Sequence, residues 1–328
     1  MEKFEFKKIT SIDNIVRLSD LMEQCFGMKV DLSYFKWKYF DNPAGEVVAY
    51  EALCEGKTVA FYGIIPEYYI LNGRTEKIYQ SMDTMTHPEF QRKGLFVSLA
   101  EKTYNEVIER EGKLMMIGFP GEQSYHGFVN KLGWKRIHEC RYIFCHNLLF
   151  KTLHLFSIKK DITLVKYDCM SDELGSFLSS IHPHTKNSKL INKEIFEWKV
   201  FSNPRLKYKV ICIKRNNQLI GICVYLVDYS HTCQILWIHF SDENDGLLYF
   251  SEVVKYIFNE TKIKYIYSWE TPQDISKEMF RKVGFIPNPF KKGPFHLKFS
   301  FITYEKNSGS NANLGVFEDY DFQPILLD

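Results

Sequence analysis

Gln91-Arg92-Lys93-Gly94 stands between a strand-like run, Ser81 to His87, and a stretch where Phe96, Leu99, Ala100, Thr103 and Val107 recur at helical spacing up to Gly112. A helix starting here presents unpaired N–H groups and the positive end of its dipole to whatever lies before it. Two cations and a glycine at such a point form a cradle for a phosphate or pyrophosphate, and Gly94 lets the backbone approach the ligand closely. On the run before the loop, Ser81, Asp83, Met85 and His87 share one face if the strand is regular, which makes Asp83 the best-placed carboxylate to act as a base. Asp83 is equally readable as a structural acid. His126, further on, is the second choice for the base. No G-x-S-x-G elbow and no Cys/His pairing offers a rival nucleophile.

The pattern resembles motif A of the GNAT acyltransferases, in which a strand ends in a Gln/Arg-x-x-Gly-x-Gly/Ala loop that holds the pyrophosphate of acetyl-CoA. Here it reads Gln91-Arg92-Lys93-Gly94-Leu95-Phe96, and Phe96 stands where the family has a small residue and would crowd the phosphates. The chain then continues in the family's order: a helix, an apolar strand from Lys113 to Phe119, another helix, and Lys131-Leu132-Gly133-Trp134, similar to the family's K-x-G-F. The resemblance implies a mixed α/β fold and acetyl-CoA as acyl donor. It also implies that the backbone of Met85, Thr86 and His87 pairs with the pantetheine arm and polarises the thioester. Many members place a tyrosine four residues before the K-x-G-F glycine to protonate the departing thiolate. That position is Val129, and Tyr125, one helical turn earlier, is the substitute acid or else a packing aromatic.

With 328 residues the chain has room for two ordinary domains. Forty-two basic side chains against 40 acidic ones leave a net charge of +2, so no global field recruits nucleic acid. MEKFEFKKIT lacks the apolar core of a signal peptide and no run of 18 apolar residues exists, which implies no membrane insertion and a cytoplasmic address. Eight scattered cysteines suit reduced core thiols. His138, Cys140, Cys145 and His146 tempt a zinc reading, but in a strand the cysteines face opposite ways and the histidines lie about 26 Å apart. No metal is expected. Aromatic content of 16% would support a homodimer face.

An internal repeat organises the chain. Ile9 to Gly27 reads as one helix closed by its glycine; then Phe35-Lys-Trp37-Lys38-Tyr-Phe40-Asp-Asn42-Pro43 returns 161 residues later as Phe196-Glu-Trp198-Lys199-Val-Phe201-Ser-Asn203-Pro204. Each Asn-Pro precedes two strand-like runs around a polar turn, Glu55-Gly56 in the first copy and Asn216-Asn217 in the second. Trp37 and Trp198, shared by both copies, read as packing residues, and Lys159-Lys160 and Lys291-Lys292 as solvated faces. The second copy lacks the basic loop: Asp242-Glu243-Asn244-Asp245-Gly246 stands there, and its carboxylates would repel CoA phosphates.

The expected organisation is therefore two tandem GNAT-like α/β domains: residues 1–152 catalytic, 153–304 degenerate and without the CoA loop, and 305–328 a tail docking back on the body. Similarity to tandem GNAT enzymes that return their C-terminus to the first active site implies that Asp319 and Asp321 meet a cationic amine there. Docking for stability alone is the other reading of the tail. By resemblance the activity is acetyl transfer from acetyl-CoA to a small-molecule amine, with an amino sugar or nucleotide sugar of polysaccharide synthesis as leading class. A catalytically silent CoA-binding or scaffold protein is the alternative, motivated by Val129 and Phe96.

Overall fold

Sharp turns set the frame. Glu55-Gly56, Asn72-Gly73 and Asn216-Asn217 each hold two successive residues at positive φ, the conformation of a tight two-residue hairpin whose twist matches that of its strands. The computed structural model describes residues 3–153, 161–181, 185–228, 232–241, 243–272, 274–287, 298–309 and 313–326. Both lysine pairs, 159–160 and 291–292, lie outside these residues, as do Asp242 and the side chains of Glu243 and Asn244. The chain divides into two compact units, 1–139 with 299–317, and 140–298 with 318–328.

The first unit is a mixed sheet with helices. Its strands are β1 (Glu5–Lys8), β2 (Val48–Cys54), β3 (Lys57–Leu71), β4 (Arg74–Thr86), β5 (Leu114–Gly118) and β6 (Lys135–Cys140). Strands β1 to β4 pair antiparallel in succession, while β4 and β5 run parallel. The predicted first helix is broken into α1 (Ile12–Ile15) and α2 (Leu18–Phe26), with Gly27 at φ 67° as its stop. These helices and α3 (Leu32–Tyr39) bury Ile15, Leu18, Leu21, Phe35 and Tyr39 against one group of core residues that includes Phe61 and Met85. On the other side α4 (Leu95–Glu111) and α5 (Glu122–Leu132) pack with Tyr62, Tyr79, Met116 and Trp134. Helix α4 follows its sequence pattern closely: Leu95, Leu99, Ala100, Thr103, Tyr104 and Val107 are buried, and Gly112 at φ 75° ends it by donating its N–H to Ile108 O at 2.8 Å.

One more strand completes this sheet, and it comes from far down the chain. Phe299–Lys306 lies antiparallel to β5, with Ile302 opposite Gly118 and Lys306 opposite Leu114, and stands between β5 and β6. The compact units divide between residues 139 and 140, where a boundary at 152 was expected, and residues 299–304, expected in the second copy, fall in the first unit. Strand pairing depends on which edge is open, not on sequence neighbourhood, and β5 offers one.

The second unit takes the strand in exchange. Its sheet is β7 (Tyr142–His146), β8 (Thr163–Tyr167), β10 (Lys209–Arg215), β11 (Gln218–Val227), β12 (Thr232–Phe240), β13 (Tyr265–Trp269) and β14 (Ile286–Pro287), in the order β14-β7-β13-β12-β11-β10-β8. Around it lie α6 (Asn147–Leu153), α7 (Asp172–Ser180), α8 (Lys193–Phe196), α9 (Glu243–Thr261) and α10 (Asp274–Val283); the short β9 (Asn187–Lys189) falls in this unit but is no part of its sheet. The repeated motif has the same structural job in both units. Trp37 and Trp198 are buried, Asn42 accepts from Ala44 N at 3.0 Å, and Asn203 accepts from Arg205 N and Leu206 N at 2.9 Å. Each asparagine caps the turn that leads into its hairpin.

Candidate active site

Strands β4 and β5 pair only at Tyr79–Met116 and Gln80–Ile117, and beyond those residues they part. A bulge in β4 accompanies the parting. Phe61 pairs with Met85 and Gly63 with Met82, so Asp83 and Thr84 together face the single residue Tyr62. Asp83 absorbs the extra residue in a left-handed conformation, φ 45°. The bulge also breaks the expected alternation, which is a correction to the shared face of Ser81, Asp83, Met85 and His87. Ser81 bonds Tyr62 Oη at 2.9 Å on the α4 side, whereas Met85 is buried among the residues of α1 to α3.

Two cavities open along the parted strands. The larger, about 660 Å³, is lined by Thr84, Met85, Thr86, Gln91, Arg92, Gly94, Leu95, Phe96, His126 and Lys131, among others. The smaller, about 510 Å³, is lined by Ser81 to Thr84 and by Gly118 to Ser124. Cys25, Phe26, Thr84, Gln123 and Ser124 belong to both. Of the nine residues expected at the cofactor, seven therefore line the larger cavity and two do not. His87 spends its N–H on Val59 O at 2.9 Å and its Nδ1 on Glu89 N at 3.2 Å, capping the turn Pro88–Phe90. Lys93 holds its ammonium over the Phe90 ring, 4.6 Å from the centroid. Because neighbouring residues of a strand direct their backbone groups to opposite sides, His87 faces β3 and Thr86 faces the side that β5 has left.

The loop itself has the geometry of an anion seat. Arg92 at φ 63° and Gly94 at φ 81° are both left-handed, Gly94 is the N-cap of α4 without a side-chain cap, and no acid stands in the first helical turn. Phe96 does not crowd this end. Its ring turns inward, 5.0 Å from Phe128 and 5.9 Å from Tyr62, and rests on Gly127, where a Cβ would come within 2.6 Å of it. We expect Gly127→Ala to destabilise the protein by about 1–3 kcal/mol through overpacking, and Phe96→Leu to recover part of that loss in the double variant. Urea midpoints of the three variants measure it.

At the bulge, Asp83 Oδ2 receives the Lys38 ammonium at 2.7 Å and the Tyr39 hydroxyl at 2.5 Å. Lys38 has a side chain only 2% exposed, against 17% for Asp83. Lys38 and Tyr39 were not foreseen as site residues. The signal was available in the lysine of the repeated Trp-Lys pair, since Lys199 is also buried. Behind Ser81 runs a chain of hydroxyls, Tyr62 to Tyr104 at 3.0 Å and Tyr104 to Trp134 Nε1 at 2.9 Å. Burial pushes both phenols well above their ordinary range and keeps them neutral, Tyr62 against the opposing pull of its bonds to Ser81 and Tyr104. Burial likewise raises the Cys25 thiol, partly offset by a hydrogen bond with the Thr86 backbone.

The remaining expected site residues are placed elsewhere. Tyr125 lines neither cavity; it packs on the α4-side core with its ring 5.6 Å from that of His126. Asp319 and Asp321 belong to the second unit, and neither lines a cavity of the first. Asp319 pairs with Lys186 at 3.0 Å and Asp321 accepts from Gln323 Nε2 at 2.9 Å. In the second copy Asp245 pairs with Arg215 at 3.0 Å, so part of the negative charge expected at the start of α9 is neutralised. His138 stacks on Phe317 at 3.8 Å, and among the described residues no three His, Cys, Asp or Glu side chains converge on a metal position.

Residues 5–137 match the model of an acetyltransferase (GNAT) domain. Over that stretch the first unit matches a GNAT acetyltransferase domain. No curated protein matches the chain. Solved GNAT structures share its fold at low identity. A GCN5-related N-acetyltransferase from Anabaena variabilis has a TM-score of 0.66 at 14% identity, covering 92% of this chain and 72% of its own. A tandem GNAT protein from the clavulanic acid biosynthesis pathway has a TM-score of 0.63 at 11% identity, over 94% of this chain and 100% of its own. The GCN5-related glucosamine N-acetyltransferase region of a fungal multi-domain GH3 β-N-acetylglucosaminidase has a TM-score of 0.61 at 12% identity, over 92% of this chain but 38% of its own. The tandem architecture accounts for the repeat, and GNAT folds use an acyl-CoA donor, for which the left-handed basic loop and the adjoining cavity are a chemical fit. Among the described residues no helix is long and apolar enough to cross a membrane.

Proposed function

We propose that the first unit transfers acetyl from acetyl-CoA to the primary amine of a small molecule, with amino sugars and nucleotide sugars as the leading class. The observation that carries this reading is the continuity of two cavities, one starting at the Gln91–Phe96 loop and the other ending at Asp83, through the shared residues Thr84, Gln123 and Ser124. In this arrangement Gln91, Arg92 and the first N–H groups of α4 hold the pyrophosphate, and Thr86 offers backbone groups to the pantetheine arm. Asp83, kept in register by Lys38 and Tyr39, attracts a protonated amine and takes its proton. His126, exposed on the larger cavity, is the group that exchanges protons with solvent. Similarity to the glucosamine N-acetyltransferase region supports the acceptor class, and the hydroxyl and carboxylate groups of Ser81, Asp83, Thr84, Glu122 and Ser124 around the smaller cavity suit a polyhydroxylated ligand.

Release of free CoA from acetyl-CoA across a panel of amino sugars, nucleotide amino sugars and simple polyamines tests the proposal. Calorimetry should give one acetyl-CoA site per chain. The second reading, a silent acyl-CoA-binding protein, is favoured by the position of Tyr125 outside both cavities and by Val129 at the usual tyrosine position. One-site binding with no amine acetylated would establish it.

A further inference from the structure

Strand β12 pairs in parallel with β13 only at Thr232–Tyr265, Cys233–Ile266 and Gln234–Tyr267, yet β12 continues to Phe240. The second unit thus repeats the parting of strands seen in the first. It also has a bulge, since Val224 faces Trp237 while Tyr225 faces Ile235. Counted along the hairpins from their equivalent turns, Tyr62 corresponds to Cys223. Tyr62 faces the Asp83–Thr84 bulge, and Cys223 pairs with Ile238. Ile238 therefore occupies the strand position that faces the site in the first unit.

Both backbone groups of Ile238 are taken by one side chain of the tail. Its N–H donates to Gln323 Oε1 at 2.8 Å and its carbonyl accepts from Gln323 Nε2 at 3.2 Å. A single primary amide here reproduces the pair of bonds that a neighbouring strand would make. The residues beside Gln323 close on the other wall. Phe322, fully buried, lies 5.0 Å from the Trp269 ring at the end of β13, and Ile325 packs with Val224, Leu236 and Trp237. Tyr320, also buried, bridges to Asn187.

We infer that the C-terminal segment Tyr320–Leu326 is the resident ligand of the second unit's cleft, an internal peptide that fills the place equivalent to the Asp83–Thr84 junction where the two cavities of the first unit meet. The second copy is closed by occupancy, and its acidic helix start is a secondary barrier. The groove is thereby a peptide site selecting an extended segment with an aromatic residue followed by glutamine. This inference concerns the second unit and is independent of the acceptor and chemistry assigned to the first.

Hydrogen exchange at the amide of residue 238, in the full chain, is the first test. Gln323→Leu should speed it at least tenfold and leave the amide of Ile222, inside the β11–β12 hairpin, as protected as before. Unchanged exchange at 238 overturns the inference. The second test uses a fluorescent peptide of residues 318–328 against the wild-type chain and against the double variant Phe322→Ser, Gln323→Ser. The peptide should bind the variant, whose own tail is weakened, and be excluded from the wild type. Binding to neither chain, or equally to both, overturns it.

Discussion

Asp83→Asn is expected to lower acetyl turnover by about 10²- to 10⁴-fold while leaving acetyl-CoA affinity nearly unchanged. Asparagine keeps the shape of the side chain but removes both the charge that draws a protonated amine and the acceptor for its proton. The same substitution leaves the Lys38 ammonium, 2% exposed, without its carboxylate partner. Removing one member of a buried pair costs about 3–5 kcal/mol, so the variant should also be markedly less stable. The two effects separate in the double variant Lys38→Met, Asp83→Asn, which has no stranded charge. Its urea midpoint should return toward wild type while turnover stays low. If turnover returns as well, Asp83 is an anchor for α3 and the proton leaves by another route.

Arg92→Glu should weaken acetyl-CoA binding by about 10- to 100-fold, because a charge-assisted contact contributes roughly 1.5–3 kcal/mol and reversal adds repulsion to its loss. Lys93→Glu should do much less, since Lys93 leans on Phe90 and does not line the cavity. Gly94→Val should match or exceed Arg92→Glu by a different route. At φ 81° a β-branched residue is strained by at least about 1–2 kcal/mol, and its side chain would enter the cavity that the glycine lines. Calorimetric titration of the three variants ranks them. Equal losses for Arg92 and Lys93 would mean that the loop acts as a diffuse charge and not as a seat.

The anion loop was legible in the sequence because its signal is local: a glycine, a cation and a helix period within a few residues. The repeat was legible for the same reason, and its asparagines and tryptophans do in the structure what turn and core residues do. Asp83 could be named but not its partners. Lys38 and Tyr39 reach it across 44 or more positions of chain, and a period-two reading has no means of seeing the bulge that turns Asp83 aside from Ser81. Tyr125 was selected by spacing on α5, but spacing does not say which helical face meets a cavity and which meets Trp134 and Phe96. The place of the late strand was not legible because its pairing is non-local: Tyr142–His146 and Phe299–Lys306 are both short aromatic-rich runs, and nothing in their residues says which sheet each joins.

That late strand has a consequence for how the protein is made. When β5 leaves the ribosome, its partner at 299–306 has not yet been synthesised. At about 5–20 residues per second the wait is on the order of ten to forty seconds, during which Leu114–Gly118, apolar throughout its first four residues, carries an unpaired edge. The first unit cannot finish folding as it emerges, although most of it is made first. A chain interrupted anywhere before residue 299 leaves a nascent acetyltransferase with one side of its central sheet open, a substrate for chaperones or for its own copies.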